Sequence, residues 1–214
     1  MRILAVDTAL GACSVAVLDD DKVLAHRLTE MERGHAEALA PMVELTMRDA
    51  ACEFSSLDCL AVTTGPGTFT GQRVGLAFMR GLRVALDIPL VGVTTLSVMA
   101  EQAMSESGCS LAVVMHDARR GEVYLEIAGV SQSPPCVLLF DEAIERIKTV
   151  AQSFVLAGTA APRAHELLPQ AVLSDVRQPD ALWLARLARF LPVPEAPPKP
   201  LYLRPPDAKL PVRK

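Results

Sequence analysis

The run Ile3-Leu4-Ala5-Val6-Asp7-Thr8-Ala9-Leu10-Gly11 decides how the fold is read. Four apolar residues end in an acid, and a Thr-Ala-Leu-Gly turn leads into a second apolar run at residues 14–18. Asp19-Asp20-Asp21 turns the chain again, into residues 23–28. Short apolar runs bounded by turn residues predict three consecutive antiparallel strands.

Further along, Gly34 opens a helical stretch reaching about residue 51, and residues 59–63 form another strand. Gly65-Pro66-Gly67 is a turn, and Thr70 is the expected N-cap of a helix ending near residue 86. A strand at 90–93 and a helix at 95–105 complete the order βββαβαβα, that of a ribonuclease-H-like half domain. A second cycle then begins. Residues 111–115 lead into His116-Asp117, turn through 118–121 and return at 123–128, so a strand ending in Asp before a hairpin is used twice. Only this opening repeats clearly. Helices are expected at 141–150, 161–168 and 180–191, with a strand at 154–157.

The expected organisation is a first lobe at 1–108, a smaller second lobe at 109–191, and a Pro-rich basic tail at 192–214. Eight prolines from Pro192 to Pro211 exclude a helix there. Residues 199–214 set Lys199, Arg204, Lys209, Arg213 and Lys214 against the single acid Asp207, and the tail's plain reading is a solvated terminus.

The chain has 214 residues, 50% apolar and 21% charged, which implies a substantial buried core. A net charge of −4 argues against the chain gripping RNA by itself, because phosphate contacts need clustered Lys and Arg. The five cysteines form no C-x-x-C pair and sit in apolar runs, as small hydrophobes of a reducing cytosol. No signal peptide and no run of ~18 apolar residues is present, so a cytoplasmic location without membrane contact is expected.

The segment from Thr63 to Gly71 lies between a strand and a helix, where backbone N–H groups and the helix dipole favour an anion. It lacks the Gly-Lys-Ser/Thr of a Walker A loop and the spacing of G-x-G-x-x-G. Alone, it reads equally well as a tight structural turn. Asp7 and Asp117 end the strands that open the two cycles, yet an Asp there is also an ordinary turn acceptor. A candidate cleft would collect Asp7, Thr8, Gly65, Gly67, Thr68, Asp117, Arg119 and Arg120. The four histidines are never paired at i, i+3 or i, i+4, and His35 at a helix start reads as a cap or a surface residue. No nucleophile, base or metal centre is legible.

The two N-terminal helices carry more apolar arc than one sheet requires. At 100° per residue their apolar positions spread over roughly 220°, against about 100° for one-sided packing. Excess arc marks a partner surface, here Leu39, Met42, Val43, Val74, Ala77, Phe78, Gly81 and Leu82. Gly71, Gly75 and Gly81 each cost ~1 kcal/mol in a helix interior relative to Ala, which suggests close approach to the backbone.

Ile3-Leu4-Ala5-Val6-Asp7-Thr8, Arg33-Gly34-His35-Ala36-Glu37, the run from Gly65 to Gly75, the run from Asp117 to Tyr124, and Leu201-Tyr202-Leu203-Arg204 together resemble the TsaB (YeaZ) family. The resemblance covers most of the chain in order. It implies an α/β, actin/Hsp70-like fold of two ribonuclease-H-like lobes, the second reduced, and kinship with the catalytic TsaD subunit. In TsaD-like proteins the strand after the Gly-rich helix leads into an H-x-x-x-H metal motif; Thr95 and Met99 stand there instead. Neither suits a hard or borderline metal. The resemblance therefore implies a non-catalytic subunit with no metal and no intrinsic cofactor, paired with TsaD through the first-lobe helices. A TsaE-type ATPase would join it, with ATP or ADP held at the assembled complex, tRNA met only through that complex, and a homodimer formed when the chain is alone. An actin-like ATPase or kinase, or a simple nucleotide-binding module, remains the alternative.

Overall fold

The computed structural model describes residues 1–129 and 133–204. Strands β1 (Arg2–Asp7), β2 (Ala12–Asp19) and β3 (Lys22–Glu30) form the antiparallel meander expected at the start of the chain. Helix α1 (His35–Asp49) follows, then β4 (Cys59–Thr63), α2 (Phe69–Leu86), β5 (Leu90–Val93) and α3 (Thr95–Ser107). The first sheet runs β3-β2-β1-β4-β5, with β4 parallel to both β1 and β5. The second half repeats this. It contains β6 (Leu111–Asp117), β7 (Glu122–Gly129), β8 (Ser133–Leu139), α4 (Phe140–Lys148), β9 (Val155–Ala157), α5 (Ala161–Leu167), β10 (Val172–Leu173) and α6 (Ala181–Ala188). Its sheet runs β8-β7-β6-β9-β10, the same order with the same directions.

The repeat is thus complete, where the sequence showed only its opening. The strand that escaped reading, β8, contains Pro134 and Pro135 and lies at a sheet edge, where a missing N–H costs no ladder bond. β10 has only two residues, too few for any periodicity.

In β1, Leu4 and Val6 face α1 and α2, while Ile3 and Ala5 face α6. Both faces are covered, which is why the strand reads as an unbroken apolar run. The second sheet carries α4 and α5 on one face and α3 on the other. The two halves therefore exchange a helix: α3 follows the first sheet but packs on the second, and α6 follows the second but packs on the first. The boundaries drawn at 108 and 191 miss this exchange, because sequence order does not reveal which sheet a helix will cover. Asp180 fastens α6 in place, capping Leu182 N–H while taking bonds from Ser14 and His26.

Three more expectations change. The N-cap of α2 is Thr68, whose hydroxyl accepts from Gly71 N–H, rather than Thr70. His35 is buried and donates through Nε2 to the Leu10 carbonyl, 3.0 Å away, instead of sitting at the surface. The tail is not a free terminus up to residue 204: Arg80 bonds the Pro198 carbonyl, Leu201 N–H donates to Thr64 O (2.7 Å), and Arg204 bonds the Ala118 and Arg119 carbonyls and pairs with Glu122. Lys209, Arg213 and Lys214 lie outside the described residues.

Of the proposed partner surface, Leu39 and Val43 are core residues, 1% exposed each, packed against β1 and β2. Met42, Val74, Phe78 and Leu82 are half-buried against the same core, and Ala77 and Gly81 are exposed. Much of the excess apolar arc is consumed because each helix touches its neighbour as well as the sheet.

Candidate functional site

Asp7 ends β1 wholly buried. One carboxyl oxygen takes the Thr63 hydroxyl and the Ala9 N–H, and the other has no partner. Burial pushes this carboxyl up to about 7, against the lowering effect of those two bonds. The neighbouring charge that raises it further is Asp180.

The next residue enters the helix. Thr8 Oγ1 donates to Gly71 O (2.7 Å) and accepts from Gly75 N–H (3.0 Å), so its hydroxyl lies between two groups that an α-helix would pair with each other. A Cβ on Gly71 would overlap the Thr8 carbonyl, and one on Gly75 would lie 2.7 Å from Thr8 Oγ1. These two glycines thus admit the protein's own β1–β2 turn, not a partner. A Cβ on Gly81 would meet nothing within 4 Å.

The Gly-rich loop closes on the same turn. Thr68 N–H donates to Ala9 O (2.8 Å), and a Cβ on Gly67 would overlap that carbonyl. Gly65 precedes a cis bond to Pro66, and its carbonyl accepts from Thr95 N–H. Asp7, Thr8, Gly65, Gly67 and Thr68 therefore do come together, held by bonds to Ala9, Thr63, Gly71, Gly75 and Thr95.

Asp117, Arg119 and Arg120 lie on the β6–β7 hairpin of the second half. Asp117 is exposed and accepts from Arg119 N–H (2.8 Å), an Asx turn at the tip of the β6–β7 hairpin. Arg119 and Arg120 both have left-handed backbones. Thr159 Oγ1 accepts from Asp117 N–H (2.9 Å), and the tail reaches both regions: Arg204 bonds the Ala118 and Arg119 carbonyls, and Leu201 N–H the Thr64 carbonyl.

Between the sheets, Ala9 and Leu10 from the first lobe pack on Leu96, Met99, Ala100 and Ala103 of α3. Ala112, Val114, Val155 and Ala157 of the second sheet lie behind them, with Val176. Thr95 and Met99 are both fully buried, and the Thr95 hydroxyl has no partner. Gln178 seals the edge, accepting from Gly11 N–H (2.9 Å). The contribution of the tail was not read from composition, although Leu201-Tyr202-Leu203-Arg204 had already stood out as a motif.

Fold and site define a two-lobed protein of the actin/Hsp70-like class whose interlobe space is filled by its own apolar side chains. A family model described as TsaD, tRNA N6-adenosine threonylcarbamoyltransferase, matches residues 22–133. The chain belongs to the TsaB family. It is 33% identical over 163 residues to the tRNA threonylcarbamoyladenosine biosynthesis protein TsaB of Buchnera aphidicola, covering 73% of this chain and 77% of that protein. The protein of the same name from Escherichia coli is 40% identical over 124 residues, 58% of this chain. That match spans about half the length of the Escherichia coli relative, 53%. The solved structure of YeaZ from Pseudomonas aeruginosa superposes with a TM-score of 0.79 at 29% identity, covering 94% of this chain and 99% of that one. No helix among the described residues is long and apolar enough to cross a membrane.

Proposed function

We propose that this chain is a non-catalytic partner of a TsaD-type subunit in the transfer of a threonylcarbamoyl group to the tRNA adenosine beside the anticodon. The observation that carries the reading is the packing around Thr95 and Met99. Where TsaD-like proteins are expected to hold a metal between paired histidines, Met99 sits in an apolar interlobe core that includes Ala9 and Leu10, and Thr95 is fully buried. A chain filled in this way contributes a surface. The outer face of α2, with Ala77, Gly81 and Ala85 exposed, is where a partner helix would pack. A TsaE-type ATPase and an adenine nucleotide belong to the assembled complex in this reading, and two copies of the chain would use the same face when the partner is absent.

The test is a reconstitution. The purified chain alone is expected to hydrolyse ATP no faster than buffer and to transfer nothing to tRNA, whereas adding its TsaD-type and TsaE-type partners restores transfer. Robust ATP turnover by the isolated chain, abolished by Asp7→Ala, would establish the actin-like ATPase alternative instead.

A further inference from the structure

From Asp58 to Asp87 the chain has no acidic residue between those two, and Arg73, Arg80 and Arg83 of α2 fall in that span. The tail lying along α2 is likewise free of acids from 196 to 206 and brings Lys199 beside the helix. In a chain of net charge −4, this strip has the opposite sign.

Two features on it are complementary. Arg80, Arg83, Val84, Ala196, Pro197 and Lys199 line an open pocket of about 290 Å³. Among the described residues no carboxylate pairs with Arg80, Arg83 or Lys199, and the buried Nε of Arg80 has no partner. Three like charges around one pocket repel each other until an anion enters. Back along the helix, at 1.5 Å per residue about 10 Å from Arg80 to Arg73 and about 16 Å to Phe69, lies an aromatic plate. Arg73 Cζ sits 3.3 Å from the Phe69 ring centroid, its Nε donates to Tyr202 Oη (2.9 Å), and the Phe69 and Tyr202 rings are stacked at 6.0 Å. Phe69 is 58% and Tyr202 46% exposed, a large area of ring to leave in water. Exposed aromatics and a stacked guanidinium next to a phosphate-sized cation cluster match an unpaired nucleotide segment, whose bases stack while its backbone is neutralised. An acidic peptide would use the cations and leave the plate idle.

We propose that this strip is a single-stranded RNA site, with the plate taking an unstacked base and the Arg80–Arg83–Lys199 pocket the phosphates farther along the strand. The choice of RNA rests on the function proposed above, whose substrate reacts beside its anticodon.

The test measures binding of a labelled anticodon stem-loop RNA to the full chain by fluorescence anisotropy across a salt series. Arg83→Glu combined with Lys199→Glu should weaken binding at least tenfold at low salt and reduce the slope of log K against log salt by about one to two, at ~0.7 per phosphate contact. Phe69→Ala should weaken binding about tenfold with the slope unchanged, as loss of one stacked base does. Wild-type affinity in both variants, or no salt-dependent binding by the unmodified chain, overturns the proposal. So does competition by polyglutamate or inorganic pyrophosphate that is as strong as competition by unlabelled RNA and indifferent to Phe69→Ala. Association with the TsaD-type partner, measured on the same variants by sedimentation, separates the two readings. If partner binding and RNA binding are both wild-type in the variants, only the strip is refuted; failure of the wild-type pair to transfer refutes the function.

Discussion

Burial holds the Asp7 carboxyl up at about 7 and the His116 imidazole down at about 4, and the two act on stability in opposite senses. Folded Asp7 stays neutral while the unfolded chain ionises, so its stabilisation is complete below about pH 4 and is lost as pH rises to about 7. Folded His116 stays neutral while the unfolded chain takes up a proton, so its stabilisation is present above about pH 6.5 and is lost as pH falls to about 4. Each effect is on the order of 3–4 kcal/mol, because a tenfold change in a protonation equilibrium corresponds to about 1.4 kcal/mol. Wild-type stability should therefore be nearly flat between pH 4 and 7. Asp7→Asn, which keeps the acceptor used by Thr63 and Ala9, should lose stability as pH falls over that range, and His116→Gln should lose it as pH rises. Urea denaturation at pH 4.5, 5.5 and 6.5 checks both slopes; parallel flat profiles in the two variants would refute the assignment. That Asp7 is special was legible at a strand end. That it is buried and bonded to Thr63 was not, because the partner is 56 residues away.

Helix α2 uses its glycines for two purposes. Gly71 and Gly75 let Thr8 enter the helix, whereas Gly81 is open to solvent. Gly71→Ala should cost about 3 kcal/mol or more through overpacking against the Thr8 carbonyl and displacement of its hydroxyl. Gly81→Ala should instead stabilise by ~1 kcal/mol, the propensity gain in an exposed helix interior. Thermal melts of both variants decide this, and equal destabilisation would mean that Gly81 is packed within the monomer. The same contrast makes Gly81→Arg a clean probe of association: it should melt no lower than wild type yet lose affinity for the TsaD-type partner by at least a hundredfold. That loss corresponds to several kcal/mol for a charge desolvated in a helical interface. Sedimentation with the partner reads it directly, and undiminished binding would move the interface away from α2. The helical wheel showed the apolar arc but not its owner, since Leu39, Val43 and Met79 point into the core while Ala77 and Gly81 do not.

Across the whole molecule, two devices hold the lobes: the exchange of α3 and α6, and the tail. Glu126 of β7 accepts from Ser97 Oγ (2.6 Å) and Thr94 Oγ1 (3.1 Å), tying the start of α3 to the second sheet. Pro198 and Thr64 both pack on Gly92, and Arg204 reaches the β6–β7 hairpin. Arg204→Ala should leave both hydrophobic cores intact but speed amide exchange in residues 118–122, where the Arg204 bonds end, with a loss of about 1–3 kcal/mol for charge-assisted hydrogen bonds. Unchanged exchange in that hairpin would show the tail to be ornamental.

Local pattern determined most of the elements, though not β8 or β10. Apolar runs, turn residues and the strand-Asp-hairpin opening sufficed for the meander, for α1 and α2, and for recognising two cycles, because strand and helix periodicity act over a few residues. Tertiary structure alone decided which sheet each helix covers, that the Gly-rich loop is occupied by Thr8 and Ala9, that Asp7 is buried against Thr63 while Asp117 is exposed at a hairpin tip, and that a Pro-rich basic segment becomes a strap. All of these depend on contacts between residues tens to more than a hundred positions apart, where packing free energy rather than local propensity selects the neighbour, and a one-dimensional pattern carries no record of that choice.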